Sequence, residues 1–249
     1  MYTFHDRVKM SQTDKRRNLT IPAIIDAMQN CVMFQLEDLG VGLDYMEKEN
    51  KILVVTCWQV QIFSLPRLFD SVSLATQAYS YKAATGFRHC MIYDREGKLC
   101  IASNSIGVFV NPDTGRPIKT TAEEWAKYDL NKGLDIEFKD RHIPIPTDYE
   151  VVEQFQVNIH HLDANNHMNN GQYVRIAYNY LPEDFDVSDF RVEYKKPAKL
   201  DDTVLVRLSA FSAPAQENSP LSQRILCVDL CDLAGNSFAV VEFTSKDFS

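Results

Sequence analysis

The residues whose types and spacing are best suited to catalysis or ligand binding lie together in the stretch HHLDANNHMNNGQY, residues 160–173. This stretch holds three His, one Asp and four Asn. Asp163, Asn165 and His167 are spaced two residues apart, so an extended segment would present all three side chains on one side. A helical pattern follows directly, and the free backbone N–H groups at a helix start stabilise negative charge. A carboxylate, an amide, an imidazole and oxyanion donors are the groups that hydrolysis of an activated acyl group needs.

Two other interpretations of this stretch compete with catalysis. The His side chains and Asp163 offer metal ligands, but His160 and His161 point to opposite sides of an extended chain, and no helical His-x-x-x-His pair exists. These features disfavour a metal site. The second interpretation is structural: the Asn residues cap and turn the chain, and His167 is a surface residue. On the residues alone, catalysis is favoured over this structural role.

The secondary-structure elements that must position these residues occur twice along the chain. Each half contains a strand, a connection and two strands joined by an Asp-x-x-Gly turn. The matching segments are FDSVSLATQAYSY with MIYDREGKLCIASNSIGVFV, and DDTVLVRLSAFS with LCVDLCDLAGNSFAVVEFTS. The turns run from Asp94 to Gly97 and from Asp232 to Gly235, where Gly tolerates the left-handed conformation. The polar segment SAPAQENSP predicts an inserted loop in the second half, and the order of the pieces predicts a tandem repeat.

Each half also carries a helix before its strands. The first is predicted from Thr20 as its cap to Gly40 at its end, with apolar residues at helical spacing. The second is capped by Asn169 or Asn170 and stops before Pro182. A short helix in TTAEEWAKYDLN and an extended linker in RHIPIP connect the halves. Strands are predicted at about 51–64, 70–82, 87–94, 98–110, 151–159, 190–196, 203–212, 222–231 and 236–246.

These elements define an α+β chain with a first domain over residues 1–120, a connecting helix and linker over 121–148, and a second domain over 149–249. The 249 residues include 45% hydrophobic residues, enough for a substantial core, and carry a net charge of −8, which disfavours general binding to nucleic acid or anionic membranes. No apolar run of membrane-spanning length and no signal-peptide core occur, so a cytoplasmic location is expected. The six scattered Cys are expected to be reduced.

The segment LDANNHMNNGQY resembles the D-x-N-x-H-x-N-N-x-x-Y signature of the acyl-acyl-carrier-protein thioesterases, which release free fatty acids and so end fatty acid synthesis. LPRLFDSV and GFRHCMIYDREGKLC also resemble parts of that family. The resemblance implies a tandem hotdog fold, in which each half is a long helix wrapped by an antiparallel β-sheet. It makes Asp163, Asn165 and His167 the catalytic candidates. The corresponding segment of the first half, SQTDKRRNLT, lacks the Asp-Asn-His set, so one active site per chain is expected.

The sequence departs from the family downstream, at EYKKPA. Plant members carry Glu and then Cys where this chain has Pro197 and Ala198, and the earlier Glu193 lies at a position that the family also fills with Glu. Asp163 is therefore predicted to start the chemistry, as a general base or as a nucleophile through a mixed anhydride. Asn165 and His167 would position the water and polarise the thioester. Backbone N–H groups of Asn169, Asn170 and Gly171 would bind the oxyanion.

The resemblance also assigns the partner and the pocket. The first half would supply the acyl pocket, with Met28, Val32, Met33 and Phe34 as candidate lining residues, although core packing is the competing interpretation for each. The acidic acyl carrier protein would dock on basic residues near the site, for which the candidates are Arg191, Lys195, Lys196 and Lys199. No cofactor or metal is expected, and a homodimer stays open. An acyl-CoA thioesterase and a non-catalytic acyl-binding hotdog protein remain the alternatives, and acyl chain length is undetermined.

Overall fold

The computed structural model describes residues 1–130, 132–213 and 223–246, which form two compact units, Met1–Lys139 and Asp140–Ser249. The predicted loop at SAPAQENSP lies outside the described residues except for its first two positions, which end a strand. No helix in the described part of the chain is long and apolar enough to span a membrane.

The first unit is a five-stranded antiparallel sheet with a long helix packed on it. Its strands are β1 (Tyr2–Arg7), β2 (Ile52–Ile62), β3 (Ser71–Lys82), β4 (Thr85–Asp94) and β5 (Leu99–Val110), and its helices are α1 (Ile21–Asp38), α2 (Leu43–Lys48) and α3 (Ala122–Ala126). The strand order is β1-β3-β4-β5-β2, and α1 packs against β1, β3 and β4. The apolar positions of α1 at helical spacing are buried, so this helix carries the core of the unit.

The second unit repeats this arrangement with a shorter helix. Its strands are β6 (Glu150–Gln156), β7 (Val187–Tyr194), β8 (Thr203–Ala213), β9 (Gln223–Cys231) and β10 (Ser237–Lys246), and its helix is α4 (Asn170–Tyr178). The order β6-β8-β9-β10-β7 is the first unit's order with each strand replaced by its counterpart. The predicted α+β class and tandem repeat are confirmed.

The two predicted Asp-x-x-Gly turns are built alike. Asp94 Oδ1 accepts the N–H groups of Glu96 and Lys98, both at 2.9 Å. Asp232 Oδ1 accepts those of Ala234 and Asn236, at 2.9 and 2.8 Å. Gly97 and Gly235 have φ values of 80° and 86°, the left-handed conformation that glycine adopts without a steric cost. Short sequence patterns of this kind are sufficient to fix the hairpins.

The predicted linker at residues 141–146 packs on the second unit. The N–H of Ile143 donates to Glu193 Oε2 at 3.0 Å, and the Ile143 side chain is buried with Cys227 and Val240. The Arg191 guanidinium donates to the carbonyl of Asp140 at 2.8 Å. Glu193 therefore has a structural partner in this segment, which explains a carboxylate at its position without any part in catalysis.

Candidate active site

The loop that carries the catalytic candidates folds back on itself. It follows a short 3-10 turn, Ile159–His161, and Leu162 pairs with Met168 across it in an antiparallel bridge. The N–H of Asp163 donates to the carbonyl of His167 at 2.8 Å, and Asn166 adopts a φ of 57°. The expectation of an extended segment is therefore wrong, and the alternation of side chains does not apply between Asp163 and His167.

The Asp163 carboxylate itself causes the turn. Its Oδ1 accepts the N–H of Asn165 at 2.8 Å and that of His167 at 3.4 Å, so the side chain replaces a backbone acceptor. In the described part of the chain, the second carboxylate oxygen has no hydrogen-bond partner, and neither do the side chains of Asn165 and His167. Asp163 and His167 are half-buried and Asn165 is exposed. Three polar groups are thus held on one closed loop and remain available to a substrate.

The first unit contains the same loop without the same side chains. There the N–H of Asp14 donates to the carbonyl of Asn18 at 3.0 Å, and Asp14 Oδ1 accepts the N–H of Asn18 at 2.8 Å. Thr13 pairs with Leu19 across this loop as Leu162 pairs with Met168 across the other. An Asp at this position is therefore sufficiently explained by the turn. The difference between the copies is that Arg16 and Asn18 stand where the second unit has Asn165 and His167.

The start of α4 supplies fewer free donors than expected. Asn169 caps the helix, since its Oδ1 accepts the N–H of Gly171 at 2.8 Å, which confirms the predicted cap. The N–H of Asn169 donates to the carbonyl of His161 at 2.8 Å. Of the three predicted oxyanion donors, only the N–H of Asn170 has no acceptor among the residues that the structure describes. Of these three N–H groups, the described structure therefore leaves one as a donor to a substrate, and the positive end of the helix reinforces it.

The segment at Pro197 and Ala198 lies directly against this loop. The carbonyl of Ala198 accepts the N–H of Met168 at 2.8 Å, and its N–H donates to the hydroxyl of Tyr173 at 2.9 Å. Ala198 is fully buried, at 0% exposure. Burial raises the pKa of Tyr173 to about 12, and the nearby charge of Asp163 adds to the shift. The position at which the family resemblance implies a Cys is therefore at the site, and a methyl group occupies it.

The cysteines of the second unit are poor nucleophiles. All six cysteines of the chain are buried and carry free thiols. Burial raises the pKa of Cys227 to about 12 and that of Cys231 to about 11, so both stay protonated at neutral pH. Across residues 1–130, 132–213 and 223–246, no group of three or more His, Cys, Asp or Glu side chains is arranged to hold a metal ion.

An apolar cavity of about 40 Å³ lies inside the first unit, between α1, the sheet and α3. Of the four predicted lining residues, only Val32 contributes to it, while Met28 is packed in the core and Met33 is half-buried. Phe34 is 43% exposed and packs edge-on against Phe4, with ring centroids 5.3 Å apart. The larger lining side chains come from several elements and were not predicted from the sequence: Leu36, Trp58, Phe87, Arg88, Phe109, Trp125 and Tyr128.

Three of the four predicted docking cations are engaged within the second unit. Arg191 pairs with Glu242 at 2.8 Å, Lys195 with Glu193 at 3.2 Å, and Lys196 with Asp232 at 2.5 Å. Lys199 is exposed, and in the described chain its ammonium group has no carboxylate partner. Its backbone N–H donates to Asp202 Oδ2 at 2.8 Å, which fixes the strand start beside the candidate site.

Comparison with known proteins identifies the class. A family model for the acyl-ACP thioesterase N-terminal domain matches residues 2–128, and one for the acyl-ACP thioesterase C-terminal domain matches residues 146–227. The chain belongs to the acyl-ACP thioesterase family, whose members are thioester hydrolases. No curated protein matches the sequence.

Solved structures of this class share the fold over nearly the whole chain. A protein assigned as an oleoyl thioesterase from Lactobacillus plantarum superposes with a TM-score of 0.88 at 20% identity, covering 100% of this chain and 96% of that one. An acyl-ACP thioesterase from Bacteroides thetaiotaomicron gives 0.82 at 17% identity, covering 97% and 96%. The 12:0-ACP thioesterase from Umbellularia californica gives 0.83 at 16% identity, covering 98% and 92%. These matches confirm the predicted tandem hotdog fold.

Proposed function

We propose that this chain hydrolyses acyl-acyl-carrier-protein thioesters to free fatty acids, with Asp163 as the general base. The observation that carries this assignment is the comparison of the two loops. Both are closed by an Asp in the same way, but only the second carries an imidazole together with an amide, at His167 and Asn165, and neither of these side chains has a partner among the residues that the structure describes. The second unit would thus hold the catalytic groups, and the cavity of the first unit would receive the acyl chain.

The proposed reaction uses one water molecule. The free oxygen of Asp163 takes a proton from water as the water oxygen attacks the thioester carbonyl carbon. The N–H of Asn170 donates to the carbonyl oxygen as negative charge develops on it, while Asn165 and His167 orient the water and the carbonyl group. The C–S bond then breaks, and the proton passes from Asp163 to the leaving sulfur. A Cys nucleophile is not needed at Ala198, where none is present.

The decisive experiment compares Asp163→Asn with Asp14→Asn. Asn keeps an acceptor oxygen for either loop, but an amide cannot take a proton from water. We expect Asp163→Asn to lower kcat for acyl-carrier-protein hydrolysis by about a hundredfold or more, the range typical of general acid–base groups. Asp14→Asn changes the same loop contacts in the first unit and should leave kcat close to that of the wild type. Near-normal hydrolysis by Asp163→Asn would refute the mechanism.

An acyl-CoA thioesterase is the second candidate function. Two observations favour it: Ala198 departs from the carrier-protein-specific plant members, and three of the four basic residues near the site are already in ion pairs. Measuring kcat/KM for the same acyl group on carrier protein and on CoA separates the two. A higher value with carrier protein supports the first assignment, and a higher value with CoA supports the second.

A further inference from the structure

Tyr173 connects helix α4 to the segment that holds the loop carrying Asp163. Its side chain is 2% exposed, and its hydroxyl oxygen accepts the N–H of Ala198 at 2.9 Å. The carbonyl of Ala198 accepts the N–H of Met168 at 2.8 Å, and Met168 pairs with Leu162 across the loop. Three successive contacts therefore link the Tyr173 hydroxyl to both ends of the loop that presents Asp163.

The contact between Tyr173 and Ala198 lies inside the protein. Ala198 is fully buried, so its N–H could not turn to water if the hydroxyl were absent. A buried N–H group that has lost its acceptor destabilises the folded state. This hydrogen bond is therefore costly to break, and it fixes Ala198 beside the loop.

The first unit has a different residue at the position of Tyr173. Thr20 and Asn169 are the N-caps of α1 and α4, so Ile24 and Tyr173, each four residues further on, are counterparts. Ile24 is fully buried and has no polar group in its side chain. An apolar residue thus fills this position in a packed core, and the hydroxyl of Tyr173 is an addition in the second unit.

The first unit also lacks the N–H that Tyr173 accepts. The carbonyl of Pro66 accepts the N–H of Leu19 at 2.8 Å, which is the contact that Ala198 makes with Met168. Proline has no backbone N–H, so this junction needs no acceptor. Hydroxyl and N–H are therefore both present in the unit with the Asp-Asn-His set and both absent from the other. Since the same junction folds without either group, the fold does not require the pair.

A second tyrosine distinguishes the two units at the same helix turn. Tyr194 packs edge-on against Tyr173 with ring centroids 5.7 Å apart, and its hydroxyl donates to the carbonyl of Asn170 at 3.0 Å. β2 is the counterpart of β7, and the strand register places Ile62 at this position in the first unit. Two hydroxyl groups in the second unit thus correspond to two isoleucines in the first.

We infer that Tyr173 is a positioning residue for thioester hydrolysis, acting through Ala198 on the loop that carries Asp163. The hydroxyl fixes Ala198, and Ala198 fixes Met168, so the carboxylate is held where it meets the attacking water. Displacement of a reacting group by about 1 Å can lower a rate by up to about a hundredfold. This inference rests on the proposed function, in which Asp163 is the general base.

The first test is Tyr173→Phe, which keeps the ring but removes the acceptor of the Ala198 N–H. We expect kcat for acyl-carrier-protein hydrolysis to fall by at least about tenfold with KM nearly unchanged, because Tyr173 is buried and touches no substrate. Tyr180→Phe is the matched control: it removes a hydroxyl that contacts Glu153 just beyond the end of α4, and it should leave kcat unchanged. A wild-type kcat in folded Tyr173→Phe would overturn the inference.

A double-mutant cycle with Ala198→Pro separates positioning from the mere pairing of a buried N–H. Proline removes that N–H, as Pro66 does in the first unit, so the double variant should recover part of the melting temperature lost in Tyr173→Phe. Its kcat should stay low, but no lower than in Ala198→Pro alone, because both substitutions break one link. Recovery of kcat together with the melting temperature would overturn the inference. A wild-type kcat in Ala198→Pro alone, or losses of kcat that multiply in the double variant, would overturn it as well.

The folding of every variant is verified by circular dichroism and thermal melting. The proposed function fails through a different result: the wild type hydrolyses no acyl thioester, or Asp163→Asn hydrolyses one as fast as the wild type does. Activity that is lost in Asp163→Asn but retained in Tyr173→Phe would support the function and refute the inference.

Discussion

At the scale of single residues, the two units provide a reference for each other. Asp163 and Asp14 make equivalent contacts with the loops that follow them, so the contribution of the turn can be separated from that of the chemistry. His167 is the most informative position, because the equivalent residue in the first unit is Asn18, which closes the same turn. An Asn at this position is therefore known to be compatible with the loop.

His167→Asn should lower kcat without destabilising the protein. The backbone contacts of residue 167 with Asp163 are the ones that Asn18 makes with Asp14, so the turn should persist. The imidazole, which is proposed to orient the water and the carbonyl group, would be lost. We expect a fall in kcat of at least about tenfold with an unchanged melting temperature. A lower melting temperature with unchanged kcat would instead assign His167 a structural role.

At the scale of secondary-structure elements, the helix starts determine where polar groups can be presented. Asn169 caps α4 with a 2.8 Å hydrogen bond to the Gly171 N–H, and between these two residues lies the N–H of Asn170, which has no acceptor in the described ranges of the chain. Thr20 caps α1 with a longer hydrogen bond, 3.4 Å, to the N–H of Ala23. The two caps have the same structural task, but only the first adjoins the candidate site.

Asn169→Ala should therefore lower both stability and activity. Loss of an N-cap costs about 1 kcal/mol, and the freed helix start would no longer hold the Asn170 donor in place. Thr20→Ala is the matched control, and we expect it to lower the melting temperature by a smaller amount without changing kcat. The measurements are thermal melting and steady-state hydrolysis on both variants. Equal effects of the two substitutions on kcat would argue against an oxyanion donor at α4.

How much of each element could be predicted depended on how local its determinants are. The Asp-x-x-Gly turns, the apolar face of α1 and the long strands were predicted correctly, because each is specified by neighbouring residues. β1 was missed, since its short sequence is stabilised by pairing with β3, more than sixty residues away. The ion pair of Arg191 with Glu242 depends on the register of β7 and β10, which no local pattern reveals.

The candidate site was predictable in identity but not in geometry. Asp163, Asn165 and His167 were found from residue types and spacing, whereas their closed loop depends on the hydrogen bonds that the Asp163 side chain makes to the backbone. The cavity was the least predictable feature. Trp58, Phe87 and Trp125 come from three different elements and meet only in the folded first unit. Helix periodicity pointed to α1 alone and so selected Phe34, which faces outward.

At the scale of the whole molecule, the net charge determines which parts of the surface can attract a carrier protein. The chain has a net charge of −8, and the carrier protein is also acidic, so attraction must come from local cations. Lys199 and Arg67 occupy equivalent positions before β8 and β3, and both are exposed. They provide a matched pair with which to locate the docking surface.

Lys199→Glu should raise KM for acyl-carrier-protein and leave KM for acyl-CoA nearly unchanged. The reason is that Lys199 flanks the candidate site and has no carboxylate partner in the part of the chain that the structure describes. Arg67→Glu reverses a charge in the same local structure of the first unit and should have a smaller effect. The comparison should be made at low ionic strength, where surface charges are least screened. A larger effect of Arg67→Glu would locate docking on the first unit.

A buried histidine should make the stability of the first unit depend on pH. His89 is buried between Tyr79, with ring centroids 4.2 Å apart, and Phe138, and its Nδ1 contacts the carbonyl of Ser103 at 3.1 Å. Burial lowers the pKa of His89 below its ordinary value of 6.5, so the folded state favours the neutral ring. The unfolded chain then binds a proton first as the pH falls. The stability contributed by this residue is complete above 6.5 and is lost as the pH falls through the folded-state pKa.

His89→Phe should remove this pH dependence, because the ring stacking is retained without a titrating group. The melting temperature of the wild type should fall more steeply between about pH 7 and pH 5 than that of the variant. Other titrating groups are common to the two proteins and cancel in the comparison. Parallel curves for the two proteins would show that His89 does not contribute to the acid sensitivity.

The duplicated turn at Asp14 and Asp163 has a consequence for the ancestry of the molecule. The hydrogen bonds of the turn are present in both copies, while the side chains carried by the turn differ. This is the pattern left when a gene duplicates and its products divide their tasks: the backbone motif is inherited, and only one descendant keeps the reactive groups. On the proposed function, the first unit is a domain released from catalysis, and its interior was free to diverge from that of the second unit.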